Sequence, residues 1–181
     1  MIIGLIGYRG AGKTTVARHL AERLASQAVD ADEFLEARAG KTIREIFAAQ
    51  GEEAFRDMES DILAELIQLP AAVLALGGGV VLRKANRKLL EKIPVVWLDA
   101  PAECLHQRIQ ADATTRERRP DLTHLGGLEE IQRLLAERRP LYEQVARWRL
   151  EVRDKTPTQI AAEILTLLEA EFSPRISPTS G

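Results

Sequence analysis

Met1-Ile2-Ile3-Gly4-Leu5-Ile6 runs directly into Gly7-Tyr8-Arg9-Gly10-Ala11-Gly12-Lys13-Thr14, and this junction decides the fold. The first half is too short and too rich in branched side chains for a helix, and suits a strand buried on both faces. The second half is a complete G-x-x-x-x-G-K-[ST] phosphate loop. At that spacing the backbone N–H groups wrap a β-phosphate, Lys13 reaches the β- and γ-phosphates, and the Thr14 hydroxyl ligates Mg²⁺. Beyond the loop, Val16, Ala17, Leu20, Ala21 and Leu24 recur at helical spacing. Lys13 and Thr14 therefore fall in the first turn of a helix, where unpaired N–H groups and the macrodipole favour an anion. A glycine-rich turn matching by chance would lack this strand before it and this helix after it. The expected ligand is a nucleoside triphosphate with magnesium, held by Gly10, Ala11, Gly12, Lys13, Thr14 and Thr15.

Working outward, short apolar runs alternate with amphipathic stretches. Ala71 to Leu76, Val95 to Leu98 and Trp148 to Val152 read as strands, with Ala28-Val29 a shorter candidate. Arg83 to Lys92, Pro101 to Ala111, Leu128 to Gln144 and Pro157 to Glu169 read as helices, the last opened by Thr156 and Pro157. That order predicts a three-layer α/β/α fold around a central five-stranded parallel sheet, with ligands at the carboxyl ends of the strands.

The 181 residues allow one domain with a full core, expected over residues 1–172. Ser173 to Gly181 has proline, serine and glycine without an apolar face and reads as a flexible tail. With 25 Lys+Arg against 27 Asp+Glu, the net charge of −2 gives no general reason to bind nucleic acid or an anionic membrane. One cysteine, Cys104, excludes an internal disulfide, and with His19, His106 and His124 scattered no metal cluster is expected from such ligands. A strand beginning at Met1 leaves no room for a leader, and no apolar run approaches the ~20 residues of a membrane helix, so a cytoplasmic protein is expected.

The acceptor of the phosphoryl group needs a second set of residues. Asp30-Ala31-Asp32 follows the short second strand; in an extended chain residues two apart share a face, so both carboxylates are expected to point into one cleft. Gly51-Glu52, Phe55-Arg56 and Glu59 come next, then Leu76-Gly77-Gly78-Gly79 at a strand end. Three consecutive glycines there let backbone approach a ligand closely. On residues alone, Arg56 and Arg138 read as members of surface ion pairs in preference to ligand groups, for example Arg56 with Glu52 or Glu59.

The ordered set resembles the shikimate kinases. It runs from the phosphate loop through Asp30-Ala31-Asp32, Ile46-Phe47, Gly51-Glu52, Phe55-Arg56-Asp57-Met58-Glu59, Leu76-Gly77-Gly78-Gly79-Val80 and Arg119-Pro120 to Arg138-Arg139-Pro140-Leu141-Tyr142. The resemblance covers about residues 1 to 170 and implies a P-loop kinase fold with a mobile lid. It implies ATP-dependent phosphorylation of the 3-hydroxyl of shikimate, on the route to chorismate and the aromatic amino acids. By position it implies that Asp32 holds the shikimate hydroxyls and is the candidate base. Arg56 and Arg138 would hold the carboxylate, Gly77, Gly78 and Gly79 would close the pocket, and Asp30 would lie near Mg²⁺ through water. The substrate-binding segment would be about residues 31–60. A guanidinium suits a carboxylate and an aspartate suits hydroxyls, so that division agrees with the chemistry.

Asp112 to Gly127 is polar and arginine-rich, and the resemblance places the lid here, with Arg119 reaching the phosphates and Arg116 and Arg118 as alternatives. The segment departs from the family pattern by its length and by Asp121 where leucine is usual. Family position puts the adenine against Lys155 and the Thr156-Pro157 turn, where arginine is frequent. The expected enzyme is monomeric and takes ATP and shikimate. A kinase acting on another hydroxylated carboxylate such as gluconate, a nucleoside monophosphate kinase and a noncatalytic ATP-binding protein are the alternatives.

Overall fold

The structure, a computed structural model, describes residues 1–111 and 127–172. The expected lid with Arg116, Arg118 and Arg119 lies outside the described residues apart from Gly127, and so does the expected tail. Five strands form one sheet: β1 (Ile2–Ile6), β2 (Ala28–Asp30), β3 (Ala72–Ala75), β4 (Val95–Asp99) and β5 (Trp148–Glu151). Seven helices are present among the described residues: α1 (Lys13–Arg23), α2 (Ala31–Ala39), α3 (Ile43–Leu66), α4 (Lys84–Leu90), α5 (Ala102–Ala111), α6 (Gly127–Val145) and α7 (Pro157–Phe172). None of these helices is long and apolar enough to cross a membrane.

The strands pair in parallel in the order β2-β3-β1-β4-β5. Alternate residues of each strand feed opposite layers, because side chains along a strand alternate in direction. Ile3, Leu5, Val73, Ala75, Val96 and Leu98 join a core with α1, α5 and α7. Ile2, Ile6, Leu74, Leu76, Val95 and Trp97 join a second core with α2, α3 and the end of α6. Every residue of β1 is buried, which explains its unbroken apolar run.

Strand order reverses around β1, which sits between β3 and β4. Ligand crevices form at such a reversal, outside the carboxyl ends of the strands. The register sets Asp30 beside Ala75 and Leu5 beside Ala75, so the ends of β2, β3 and β1 open onto one crevice.

One expectation is corrected here. Asp32 is not in an extended chain; it lies in the first turn of α2. Asp30 ends β2 and caps that helix, its Oδ1 accepting from the backbone N–H of Asp32 at 2.9 Å and of Glu33 at 3.4 Å. An aspartate at this position satisfies donors that the helix leaves unpaired, so the chain turns helical immediately after the strand. The start of α3 is a capping box: Glu45 N–H donates to the Thr42 hydroxyl, and Thr42 N–H donates to the Glu45 carboxylate. Inside α3, Gly51 has φ 80° and ψ 177°, which breaks the helix into two limbs.

Candidate active site

The phosphate loop depends on glycine in the strict sense. Gly7 has φ 141°, and a Cβ there would lie 2.4 Å from the Leu98 carbonyl oxygen. Gly12 has φ 87° and caps α1, its carbonyl accepting from Val16 N–H at 3.0 Å. Lys13 curls back over the loop, donating from Nζ to the carbonyls of Gly7 at 2.9 Å and Tyr8 at 3.1 Å. The Thr14 hydroxyl donates to Asp30 Oδ2 at 2.5 Å, so the helix α1 start and the end of β2 meet at an oxygen-rich corner.

A cleft is lined by Gly10, Gly12, Lys13, Thr14 and Thr15 on one side and by Asp30, Asp32, Gly77 and Gly78 on the other. The aspartates expected to share a cleft do share it, although through a helix cap instead of an extended strand. A smaller cavity continues from Asp32 and Gly77 to Glu59. The nucleotide loop thus meets Asp32, Gly77 and Gly78, whereas Arg56, Gly79 and Arg138 do not line either cavity.

Arg56 lies behind that second region, bonded to its lining residue Glu59. It is 7% exposed and donates to Glu59 Oε2 at 2.8 Å and to Glu52 Oε1 at 3.0 Å. The ion pairs read from sequence exist; the one with Glu59 is buried, while Glu52 reaches Arg56 from the exposed side. Burial works to lower the Arg56 pKa; the charge of Glu59 and its hydrogen bond, then those of Glu52, more than offset this and leave it raised. Glu59, itself 7% exposed, therefore holds Arg56 charged and oriented. Gly79 lies against the guanidinium so closely that a Cβ would meet Nη1 at 2.2 Å.

Arg138, on α6, is 5% exposed and packs over the Tyr8 ring with Cζ 5.7 Å from the centroid. A buried guanidinium gains strongly from an anionic group that reaches it, which makes it a receptor for a carboxylate. One turn further along α6, the Tyr142 hydroxyl donates to the Gly78 carbonyl at 2.6 Å.

Lys155 stands apart from this cleft, with its ammonium on Glu163 at 2.5 Å. Arg108, which the sequence reading did not single out, lines the cleft and donates to the carbonyls of Val152 and Arg153 at 2.9 Å each. In sequence it is one polar residue on the wet face of an amphipathic helix, and only the fold reveals its position. Glu36 was missed for the same reason; it lines the cleft and accepts from Ile43 N–H at 3.0 Å.

The family model described as shikimate kinase matches residues 9–169. The chain belongs to the shikimate kinase family. A shikimate kinase of Rhodopirellula baltica is 43% identical over 162 residues, which are 89% of this chain and 87% of that relative. The solved structure of shikimate kinase from Acinetobacter baumannii in complex with shikimate superimposes with a TM-score of 0.89 at 38% identity, covering 96% of this chain and 95% of that one. Deoxyadenosine kinase from M. mycoides, at 15% identity and a TM-score of 0.63, covers 94% of this chain and 100% of its own and shares the fold alone. The three-layer α/β/α fold around a five-stranded parallel sheet, expected from the order of strands and helices, is the fold observed, with the phosphate loop after its first strand.

Proposed function

We infer that this protein transfers the γ-phosphoryl group of ATP to the 3-hydroxyl of shikimate, giving shikimate 3-phosphate and ADP, on the route to chorismate and the aromatic amino acids. The observation that carries the reading is the joining of a phosphate-loop cleft to a smaller cavity lined by Asp32, Gly77 and Glu59, with the buried Arg56 bonded to Glu59 and the buried Arg138 beside Tyr8. Shikimate supplies a carboxylate for the arginines and three hydroxyls.

In this reading Gly10 to Thr15 hold the triphosphate on the N-terminus of α1, and Lys13 leaves the loop carbonyls for the β- and γ-phosphates. Arg56 and Arg138 grip the carboxylate, which fixes the ring, while Gly77, Gly78 and Gly79 bring backbone close to it. Asp32 orients the 3-hydroxyl and receives its proton as the oxygen bonds to the γ-phosphorus and the bond to the bridging oxygen of ADP breaks. The transition state is loose, so alignment contributes more than early proton removal. By family position Arg119, outside the described residues, is assigned to the phosphates, where its charge would offset charge that develops in transfer. The adenine lies toward the turn that carries Lys155 and Thr156.

The Thr14 hydroxyl and Asp30 carboxylate fit Mg²⁺: both are hard oxygen donors at one corner of the cleft, and magnesium uses few protein ligands beside water and phosphate oxygens. Among the described residues no group of three His, Cys, Asp or Glu competes for a metal. Held by Thr14 and Asp30, the metal would supply positive charge that offsets the charge of the phosphates. The enzyme is read as monomeric, and free Cys104 agrees with a reducing, cytoplasmic setting.

The test is ADP release with a panel of acceptors. Turnover of shikimate is expected; turnover of gluconate in its place, or nucleotide binding without turnover of any acceptor, would favour the alternatives.

A further inference from the structure

The Tyr142 hydroxyl is not explained by packing. Its ring fills space against Trp97, with centroids 5.5 Å apart and a 35° tilt, and a phenylalanine would fill the same space. A fully buried hydroxyl is costly unless it is bonded, and this one spends its proton on a single acceptor, the Gly78 carbonyl.

That acceptor belongs to the part of the pocket least able to fix itself. Gly77, Gly78 and Gly79 have no side chains, and glycine backbone has the widest freedom. Backbone bonds hold the flanks: Leu76 N–H to Leu5, Val80 N–H to Gly77 and Leu82 N–H to Gly79. The Gly78 carbonyl is held by Tyr142. The peptide is trans, so its carbonyl and the Gly79 N–H lie on opposite edges of one plane, and anchoring the first sets the second. The junction is tight: a Cβ on Gly78 would lie 3.1 Å from the Gly7 carbonyl oxygen and 3.3 Å from the Tyr142 hydroxyl. The phosphate loop, the acceptor loop and α6 therefore meet at this point.

The same hydroxyl faces Arg138, one turn earlier on α6. Burial pushes the Tyr142 pKa up to about 12, opposed by Arg138, so the group is a neutral donor across the physiological range. Both acceptor-binding elements, the glycine loop and Arg138, thus refer to one side chain.

We propose that Tyr142 is a positioning residue for the acceptor: by holding the Gly78 carbonyl it keeps the triple-glycine loop and Arg138 at the spacing shikimate requires, without touching the substrate. The proposal rests on the functional reading above. Tyr142→Phe keeps the ring and deletes the bond. In ADP-release assays with each substrate varied separately, KM for shikimate is expected to rise about fivefold to tenfold while KM for ATP stays within about twofold. A tyrosine that only fills the core would lower Tm and leave both KM values unchanged, and that result overturns the proposal.

Should Tyr142→Phe not fold, the unaltered chain labelled with 3-fluorotyrosine gives a second measurement, since Tyr8 and Tyr142 are its two tyrosines. With Tyr8→Phe used for assignment, saturating shikimate is expected to shift the Tyr142 fluorine resonance; an unmoved resonance overturns the proposal. Failure of the unaltered chain to phosphorylate shikimate would remove the functional reading and this proposal with it. Normal turnover with an unchanged KM in the variant removes the proposal alone.

Discussion

Gly79→Ala adds one methyl group at the point where the acceptor loop presses on Arg56. Gly79 has no positive φ, so alanine strains no backbone and the effect comes from contact alone. The new Cβ would lie 2.2 Å from Nη1 and 2.7 Å from both Cζ and Nη2 of Arg56. Ordinary contact begins at 3.4 Å, so the guanidinium must retreat by about 1.2 Å. It has little room, being held at 2.8 Å by Glu59 and 3.0 Å by Glu52. A guanidinium moved that far loses alignment with a bound carboxylate. A hydrogen bond to a charged group is worth about 1.5–3 kcal/mol, so the predicted rise in KM for shikimate is roughly tenfold to a hundredfold. KM for ATP should change less than about twofold, because the nucleotide loop is untouched. ADP release with each substrate varied reads both constants, and thermal unfolding checks that the chain still folds. The cause is isolated by repeating Gly79→Ala in an Arg56→Ala background, where the methyl group has nothing left to displace. An equal loss in both backgrounds, or an unchanged KM in the single variant, would refute the reasoning.

Four further outcomes follow from the same geometry. Lys13→Ala should lower kcat by at least ~10²-fold, since it removes a charge that stabilises the transferring phosphoryl group; a near-normal kcat would refute that role. Arg138→Ala should raise KM for shikimate and leave KM for ATP near its starting value, and the reverse pattern would place Arg138 on the nucleotide. Asp32→Asn should lower kcat by about 10²-fold, and a near-normal kcat with both substrates saturating would exclude proton transfer to this residue. The alkaline limb of stability should carry a Tyr142 component. Its folded pKa of about 12 exceeds the usual value of 10.0, so its contribution is complete below pH 10 and is lost as pH rises toward 12. Unfolding of the unaltered chain and Tyr142→Phe at both ends of that window should show the unaltered chain losing about 2 to 3 kcal/mol more, at most. Parallel losses would count against a buried neutral hydroxyl.

Legibility in the sequence followed the kind of signal each element carries. β1, the phosphate loop and α1 could be read because an unbroken branched run, a spaced glycine pattern and a helical stripe adjoin one another. Helices α2 and α3 were not assigned. In α2, Leu35 is the buried residue among charged neighbours, so its apolar stripe is faint. In α3, Gly51 interrupts the period. Their starts were nevertheless written in the chain, as Asp30 before α2 and as the Thr42–Glu45 capping box before α3. Arg56 shows a different limit. Its carboxylate partners were legible from spacing, but burial separates a surface pair from a held ligand group, and burial comes from the packing of α3 beneath the glycine loop. Arg108 and Tyr142 lay beyond sequence reasoning because each acts on backbone carbonyls more than forty residues away, contacts that the closed sheet creates.

The central claim is that the buried arginines and the phosphate loop serve one transfer from ATP to shikimate. Its most direct test is the identity of the phosphorylated product when the purified chain is given ATP, Mg²⁺ and shikimate, with gluconate in a parallel reaction. Formation of shikimate 3-phosphate and equimolar ADP, with gluconate unchanged, is the result the account predicts. ADP formed only with gluconate, or no phosphorylated acceptor in either reaction, would contradict it.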